Sequence, residues 1–176
     1  MPPRRLVLAS ASPARLRVLR DAGFAPEVVV SGVDEDDVQG DPRHVAGMLA
    51  KRKAEAVAGT LTGAPALVIG CDTVLDVDGE ARSKPESRDQ ARAWWASVAG
   101  RAVELHSGHC VIDLDSGRQT AAVATTIVHY GQPTDAEMDA YLSTDEPLAV
   151  AGAFTIDGYA APFVDRIEGD HGTVLG

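Results

Sequence analysis

The chain has 176 residues, which is the usual size of a single domain. A hydrophobic share of 45% and a charged share of 24% exclude a mainly disordered chain, a collagen and a disulfide scaffold. With 26 acidic residues against 16 basic ones, the net charge is -10. We therefore expect neither a nucleic-acid polymer nor an anionic membrane surface as a partner.

The apolar stretches are too short for a secretory signal or a membrane span. The first one covers only residues 6–9, and no apolar run reaches the roughly 18 residues that a span needs. We therefore expect a cytoplasmic protein. Cys71 and Cys110 lie in apolar, strand-like sequence, so we predict that both are buried small hydrophobes rather than zinc ligands or a disulfide pair.

The first third of the chain alternates predicted strands with predicted helices. These elements are, in chain order, a strand at 5–9, a helix from Ser12 to Gly23, a strand at 27–31 and a helix at 42–59. Ser12 followed by proline is a helix-start signal, and glycine is a typical helix end. In the second helix we expect Val45, Met48, Leu49 and Ala56 to form the buried face.

The remainder is richer in strands. Its predicted elements are a strand from 66 through 75 to the turn Asp78-Gly79, a helix at 87–99, strands at 103–113 and 119–130, a helix at 134–143 and a strand at 163–167. Asp115-Ser116-Gly117 joins the two long strands as a hairpin signal. This order predicts an α/β fold with a mixed sheet rather than a purely parallel one.

Two serines and an arginine surround the start of the first predicted helix. Ser10 and Ser12 precede it, and Arg15 lies in its first turn. Free backbone N–H groups and the positive end of the helix dipole attract anions, and a guanidinium matches the geometry of phosphate. An ordinary helix cap is an equally good interpretation of this spacing.

Two carboxylates are candidates for acid–base or metal chemistry. Asp72 follows the apolar run 66–70 and is expected at the end of a buried strand, where α/β sheets open their crevices. It could bind a metal or act as a base, and a turn or surface aspartate is the alternative. Glu35 follows the second strand and could share that crevice or belong to a solvated acidic loop.

Lysine is scarce in this chain. Only Lys51, Lys53 and Lys84 are lysines, whereas the other thirteen basic residues are arginines. A retained lysine can mark a place that needs a compact charge, although chance explains the pattern as well. Lys53 and Lys84 are the candidates for a cationic site.

Two further patterns suggest other chemistry. Asp76 and Asp78 resemble the Asp-x-Asp motif of aspartyl-phosphate phosphatases, but they lie in mid-chain and the turn Asp78-Gly79 explains them. His106 and His109 suggest a metal pair, yet a spacing of three on a strand places the two side chains on opposite faces.

Taken in order, the motifs resemble the Maf family of nucleoside triphosphate pyrophosphatases. The resemblance runs from Leu6 to the last residue, and the ordered set is more specific than any single motif. The matching stretches are Leu8 to Arg15, Val33 to Glu35, Lys53-Ala54, Gly70 to Val74, Lys84-Pro85, Asp145 to Pro147, Ala151 to Phe154 and Gly172 to Gly176.

The resemblance implies a fold and a reaction. The fold is a mixed twisted sheet with flanking helices, two lobes around a cleft, similar to inosine triphosphate pyrophosphatases. We expect one Maf-like domain over 1–176 that lacks the closing helix of the family. The reaction converts a nucleoside triphosphate to the monophosphate and pyrophosphate, and the implied cellular role is clearance of noncanonical nucleotides, linked to division arrest. The resemblance leaves the oligomeric state undetermined, and a homodimer is one alternative.

The resemblance also assigns roles. Asp72 is the implied general base, and Glu35 with Asp72 would bind a divalent cation, Mg²⁺ or Mn²⁺. The implied substrate-binding residues are Ser10, Ser12, Arg15, Lys53, Thr73, Lys84 and Asp157.

Four positions depart from the family pattern. The first of two arginines after Ser-Pro is Ala14, and the lysine before Ala-Gly is Val150. The glutamine of one subgroup is Asp157, and a frequent histidine is Val103. These departures leave the preferred base undetermined. Because of these departures, a nucleotide-binding regulator without turnover is an alternative function. Asp76 supports a second alternative, a phosphomonoesterase with a covalent aspartyl intermediate.

Overall fold

The structure is a computed structural model that describes residues 4–35, 37–62 and 65–176. Within these residues the framework is a seven-stranded mixed sheet in the order β2-β1-β3-β5-β6-β7, with β4 paired to the end of β3. The strands are β1 Arg5–Leu8, β2 Glu27–Val28, β3 Ala66–Val77, β4 Glu80–Arg82, β5 Ala102–Asp113, β6 Gln119–Tyr130 and β7 Val164–Glu168. Strands β2, β1 and β3 are parallel, and the other pairings are antiparallel. The expected mixed sheet is confirmed.

Six α-helices flank the sheet in the described part of the chain. They are α1 Pro13–Asp21, α2 Pro42–Thr60, α3 Arg88–Val98, α4 Asp135–Leu142, α5 Glu146–Ala149 and α6 His171–Leu175. The four longer ones begin where side-chain caps place them. Ser12, Asp41, Ser87 and Thr134 each accept a hydrogen bond from a backbone N–H three residues later.

Two local expectations are wrong. The strand expected at 27–31 is only Glu27–Val28, because it is an edge strand that pairs with just two residues of β1. On α2, Met48 and Ala56 are only partly buried, and the residues facing the sheet are small ones such as Ala46 and Ala50.

Close packing of α2 on the sheet explains that face. A Cβ added at Gly70 would lie 2.2 Å from the carbonyl oxygen of Ala50, and one at Gly108 would lie 2.2 Å from that of Ala46. Only glycine leaves room for the helix backbone at these two points.

The core is divided along the length of β3. One cluster contains Leu75, Trp95 and Tyr130 and joins the C-terminal half of β3 to α3 and α4. Another contains Val7 and Val68 and joins the N-terminal half of β3 to β1 and α2. Cys71 and Cys110 are buried free thiols, as predicted. No helix among the described residues combines the length and apolarity needed to cross a membrane.

Candidate active site

The candidate site lies where β1 stops and β3 continues. Leu8, the last residue of β1, pairs with Ile69, and β3 then runs on to Val77 with β5 as its neighbour. Asp72 is therefore in the middle of a twelve-residue strand and not at a strand end as expected. Asp72 nevertheless lies three residues beyond the end of the parallel pairing with β1, on a stretch of β3 whose edge has no strand partner among the described residues.

Arg15 fixes the start of α1 to this unpaired edge of β3. Its Nη1 donates to Ser10 Oγ at 3.0 Å and to the Cys71 carbonyl at 2.9 Å, and its Nη2 donates to Thr73 Oγ1 at 2.9 Å. Ser12 caps the helix by accepting from the Arg15 N–H at 3.4 Å. Ser10, Ser12, Arg15 and Thr73 are thus brought together. Within the described residues the buried Arg15 Nε has no hydrogen-bond partner, so the group retains donor capacity.

Ser107 extends this network to the end of the chain. Its Oγ lies 2.8 Å from Thr73 Oγ1 and donates to the Thr173 carbonyl at 2.7 Å. Ser107 is completely buried. Sequence reasoning missed it, because it lies opposite Thr73 only through the register between β3 and β5.

Lys53 joins the two candidate carboxylates. It is a buried residue of α2, and its Nζ lies 2.5 Å from Asp72 Oδ1 and 2.7 Å from Glu35 Oε1. Asp72 is 4% exposed, and its Oδ2 is buried with no hydrogen-bond partner in the described part of the chain. Burial raises the pKa of Asp72, while the charges of Lys53 and Arg15 oppose this increase.

The unpartnered Oδ2 of Asp72 is a candidate ligand for the expected divalent cation. A divalent hard cation binds carboxylate oxygens, and Asp72 Oδ2 is a buried acceptor beside the more exposed Glu35 carboxylate. These two residues therefore fit a Mg²⁺ or Mn²⁺ ion.

Lys84 and Asp157 lie apart from this network. Lys84 is exposed after β4 and forms no hydrogen bond or ion pair within residues 4–35, 37–62 and 65–176. Asp157 forms an ion pair with Arg17 of α1 and accepts a hydrogen bond from Thr155 Oγ1. The Asp157 carboxylate is thus already neutralised by an arginine that sequence reasoning did not consider.

The two histidines of β5 have different surroundings. Burial lowers the pKa of half-buried His109, and the charge of Arg15 lowers it further. His106 lies instead near Asp76 and Glu104, and among the described residues these three are a group of three His, Cys, Asp or Glu side chains close enough to hold a metal.

A profile of the family described as "Maf-like protein" matches residues 5–176. The chain belongs to the Maf family. A Streptomyces coelicolor member, named nucleoside triphosphate pyrophosphatase, is 56% identical over 99% of this chain and 85% of its own. A Salinispora tropica member with the same name is 52% identical over 99% of this chain and 79% of its own.

Among solved structures, this Maf chain matches the Staphylococcus aureus Ham1 protein. The match has a TM-score of 0.48 and 16% identity, and it covers 73% of this chain and 72% of that one.

Proposed function

We propose that the protein hydrolyses nucleoside triphosphates to nucleoside monophosphates and pyrophosphate. The observation that carries the proposal is the buried Lys53–Asp72 pair, next to a helix N-terminus where Arg15 retains unpartnered donor capacity. The proposal is also supported by two Maf relatives, from Streptomyces coelicolor and Salinispora tropica, which are both named nucleoside triphosphate pyrophosphatase.

Asp72 is the proposed general base. Its Oδ1 is fixed by Lys53, which leaves Oδ2 to accept a proton from the water that attacks the α-phosphorus. Burial raises the pKa of this carboxylate, so the conjugate acid holds the proton more firmly than an exposed aspartate would.

The cationic groups would bind the triphosphate. Lys53 has three N–H donors and uses two of them on Asp72 and Glu35, so one is available for a phosphate oxygen. Arg15 has five donors and uses three, and it lies in the first turn of α1. Lys84 is exposed and unpaired in the described structure, which suits a side chain that closes on substrate.

A divalent cation is part of this proposal. Glu35 would hold it together with Asp72, whose Oδ2 has a second lone pair beside the one that accepts the proton. Bound there, it would offset the negative charge of the phosphate groups.

Analysis of the products tests the proposed function. The purified protein is incubated with canonical and modified nucleoside triphosphates and Mg²⁺ or Mn²⁺, and pyrophosphate and orthophosphate are quantified separately. We expect one pyrophosphate per monophosphate. Orthophosphate as the first product would overturn the proposal in favour of a phosphomonoesterase, and nucleotide binding without any product would indicate a regulator.

Asp157 is the proposed base-reading residue. Arg17 and Thr155 each use one acceptor position of its carboxylate, and the remaining positions can only accept hydrogen bonds, whereas an amide also donates. Pyrimidine carbonyls should therefore be disfavoured and guanine N–H donors favoured. We expect broad or purine-shifted use in the comparison of kcat/KM for dTTP, UTP, GTP and a methylated GTP. Asp157→Gln should shift the preference towards pyrimidines. A strong preference for dTTP and UTP that this substitution leaves unchanged would contradict the role.

A further inference from the structure

We propose that Asp76, Glu104 and His106 form a second metal site, which binds a transition dication such as Zn²⁺ and is separate from Glu35 and Asp72. One ligand atom from each of the three side chains lies within 4.8 Å of the other two. Strand pairing places them there, since Asp76 lies opposite Glu104 and His106 follows two residues later on the same face of β5.

The distances suit a bridging metal better than hydrogen bonds. His106 Nε2 lies 3.7 Å from Asp76 Oδ2 and 3.6 Å from Glu104 Oε2. Both distances exceed the roughly 2.7–3.2 Å of an N–H···O hydrogen bond. Tetrahedral ligands at about 2.0–2.1 Å from Zn²⁺ are about 3.4 Å apart, so the two distances from His106 need shifts of only a few tenths of an ångström, and the two carboxylate oxygens lie within 4.8 Å of each other.

Neighbouring groups orient the imidazole for this role. His106 is 3% exposed, and its Nδ1 lies 2.9 Å from Thr125 Oγ1, which also accepts a hydrogen bond from Arg43 Nη1 at 2.6 Å. A hydroxyl oxygen can accept two hydrogen bonds, so Thr125 can also accept one from Nδ1–H. In that tautomer the Nε2 lone pair faces the two carboxylates, which is the arrangement a metal ligand needs.

The site is open to solvent and separated from the catalytic carboxylate. The side chain of Glu104 is 54% exposed and that of Asp76 is 25% exposed, so an ion can enter with a water as fourth ligand. On the same face, fully buried Val74 lies between Asp76 and Asp72 and packs against Val45 of α2. An apolar layer therefore separates the two sites.

The ligand set selects the class of ion and the expected effect. One imidazole and two carboxylates suit Zn²⁺ or Co²⁺, whereas Mg²⁺ prefers oxygen ligands and retains water. A metal here would join β3 to β5, so binding should raise the melting temperature of the folded chain.

Titration of the metal-free full chain tests the proposal without nucleotide. Zn²⁺ binding is measured by calorimetry and Co²⁺ binding by visible absorption, in the wild type and in Glu35→Gln, whose substitution is remote from the cluster. We expect one Zn²⁺ ion bound at the cluster in both. Glu104→Gln, an exposed change with little risk to folding, should weaken that binding at least tenfold and abolish the rise in melting temperature.

His106→Gln should remove the nitrogen ligand and change the Co²⁺ spectrum, while saturating Mg²⁺ should leave the turnover of Glu104→Gln at the wild-type level. An unchanged Zn²⁺ affinity in Glu104→Gln would overturn the proposal. So would the absence of Zn²⁺ binding in the wild type, or the loss of all Zn²⁺ binding in Glu35→Gln.

Discussion

Replacement of Arg15 by alanine should both destabilise the protein and impair substrate binding. The change removes three hydrogen bonds from a charged donor. Two of the acceptors keep another partner, since Ser10 Oγ still accepts from the Ser12 N–H and Thr73 Oγ1 still contacts Ser107. Only the Cys71 carbonyl loses its side-chain donor. We therefore expect a loss of about 2–4 kcal/mol in the free energy of unfolding, as charge-assisted bonds contribute about 1.5–3 kcal/mol each.

Arg17 offers a matched control on the same helix. Its ion pair with Asp157 joins a side chain that is 53% exposed to one that is 24% exposed. Ion pairs of that kind contribute about 1 kcal/mol or less, so Arg17→Ala should cost no more than this. Both variants are compared with wild type by urea denaturation, and KM for one triphosphate is measured for Arg15→Ala alone, because Arg17 pairs with the proposed base-reading residue Asp157. Equal destabilisation by the two substitutions would refute the assigned role of Arg15.

The remaining predictions concern the ionisable groups of the site. Because burial raises the pKa of Asp72 above 3.8, its ionisation opposes folding at neutral pH, and this penalty disappears as the pH falls below that value. Asp72→Asn should therefore melt no lower than wild type at pH 7 by calorimetry, and any gain should vanish near pH 4; a large loss at pH 7 would contradict this. Lys53→Ala and Lys84→Ala should each lower kcat/KM on triphosphates, whereas Lys51→Ala should not, and equal effects of all three would indicate general charge only.

Local signals were sufficient for most of the fold. Ser12, Asp41, Ser87 and Thr134 lie at the starts of helices, and their side chains accept hydrogen bonds from backbone N–H groups three residues later. The length of edge strand β2 was overestimated, because it depends on how many residues of β1 pair with β2. A single sequence contains no direct information about that partner.

The candidate site was less accessible to spacing alone. Lys53 and Asp72 are 19 residues apart on a helix and a strand, and only the resemblance to a family placed them together. The contact of Thr73 with Ser107 depends on strand register, and the pairing of Arg17 with Asp157 depends on how a distant loop packs on α1. Such contacts arise from tertiary packing, so periodicity and capping rules could not predict them.

The most direct test of the account follows the oxygen of the attacking water. Hydrolysis is run in ¹⁸O-labelled water with wild type and Asp72→Asn, and the label is located by mass spectrometry. We expect the label in the nucleoside monophosphate and not in pyrophosphate, and a fall in kcat of about 10²–10⁴ in the variant, the usual contribution of a general base. Label in released pyrophosphate or orthophosphate, or a variant within twofold of the wild-type kcat, would contradict attack on the α-phosphorus assisted by Asp72.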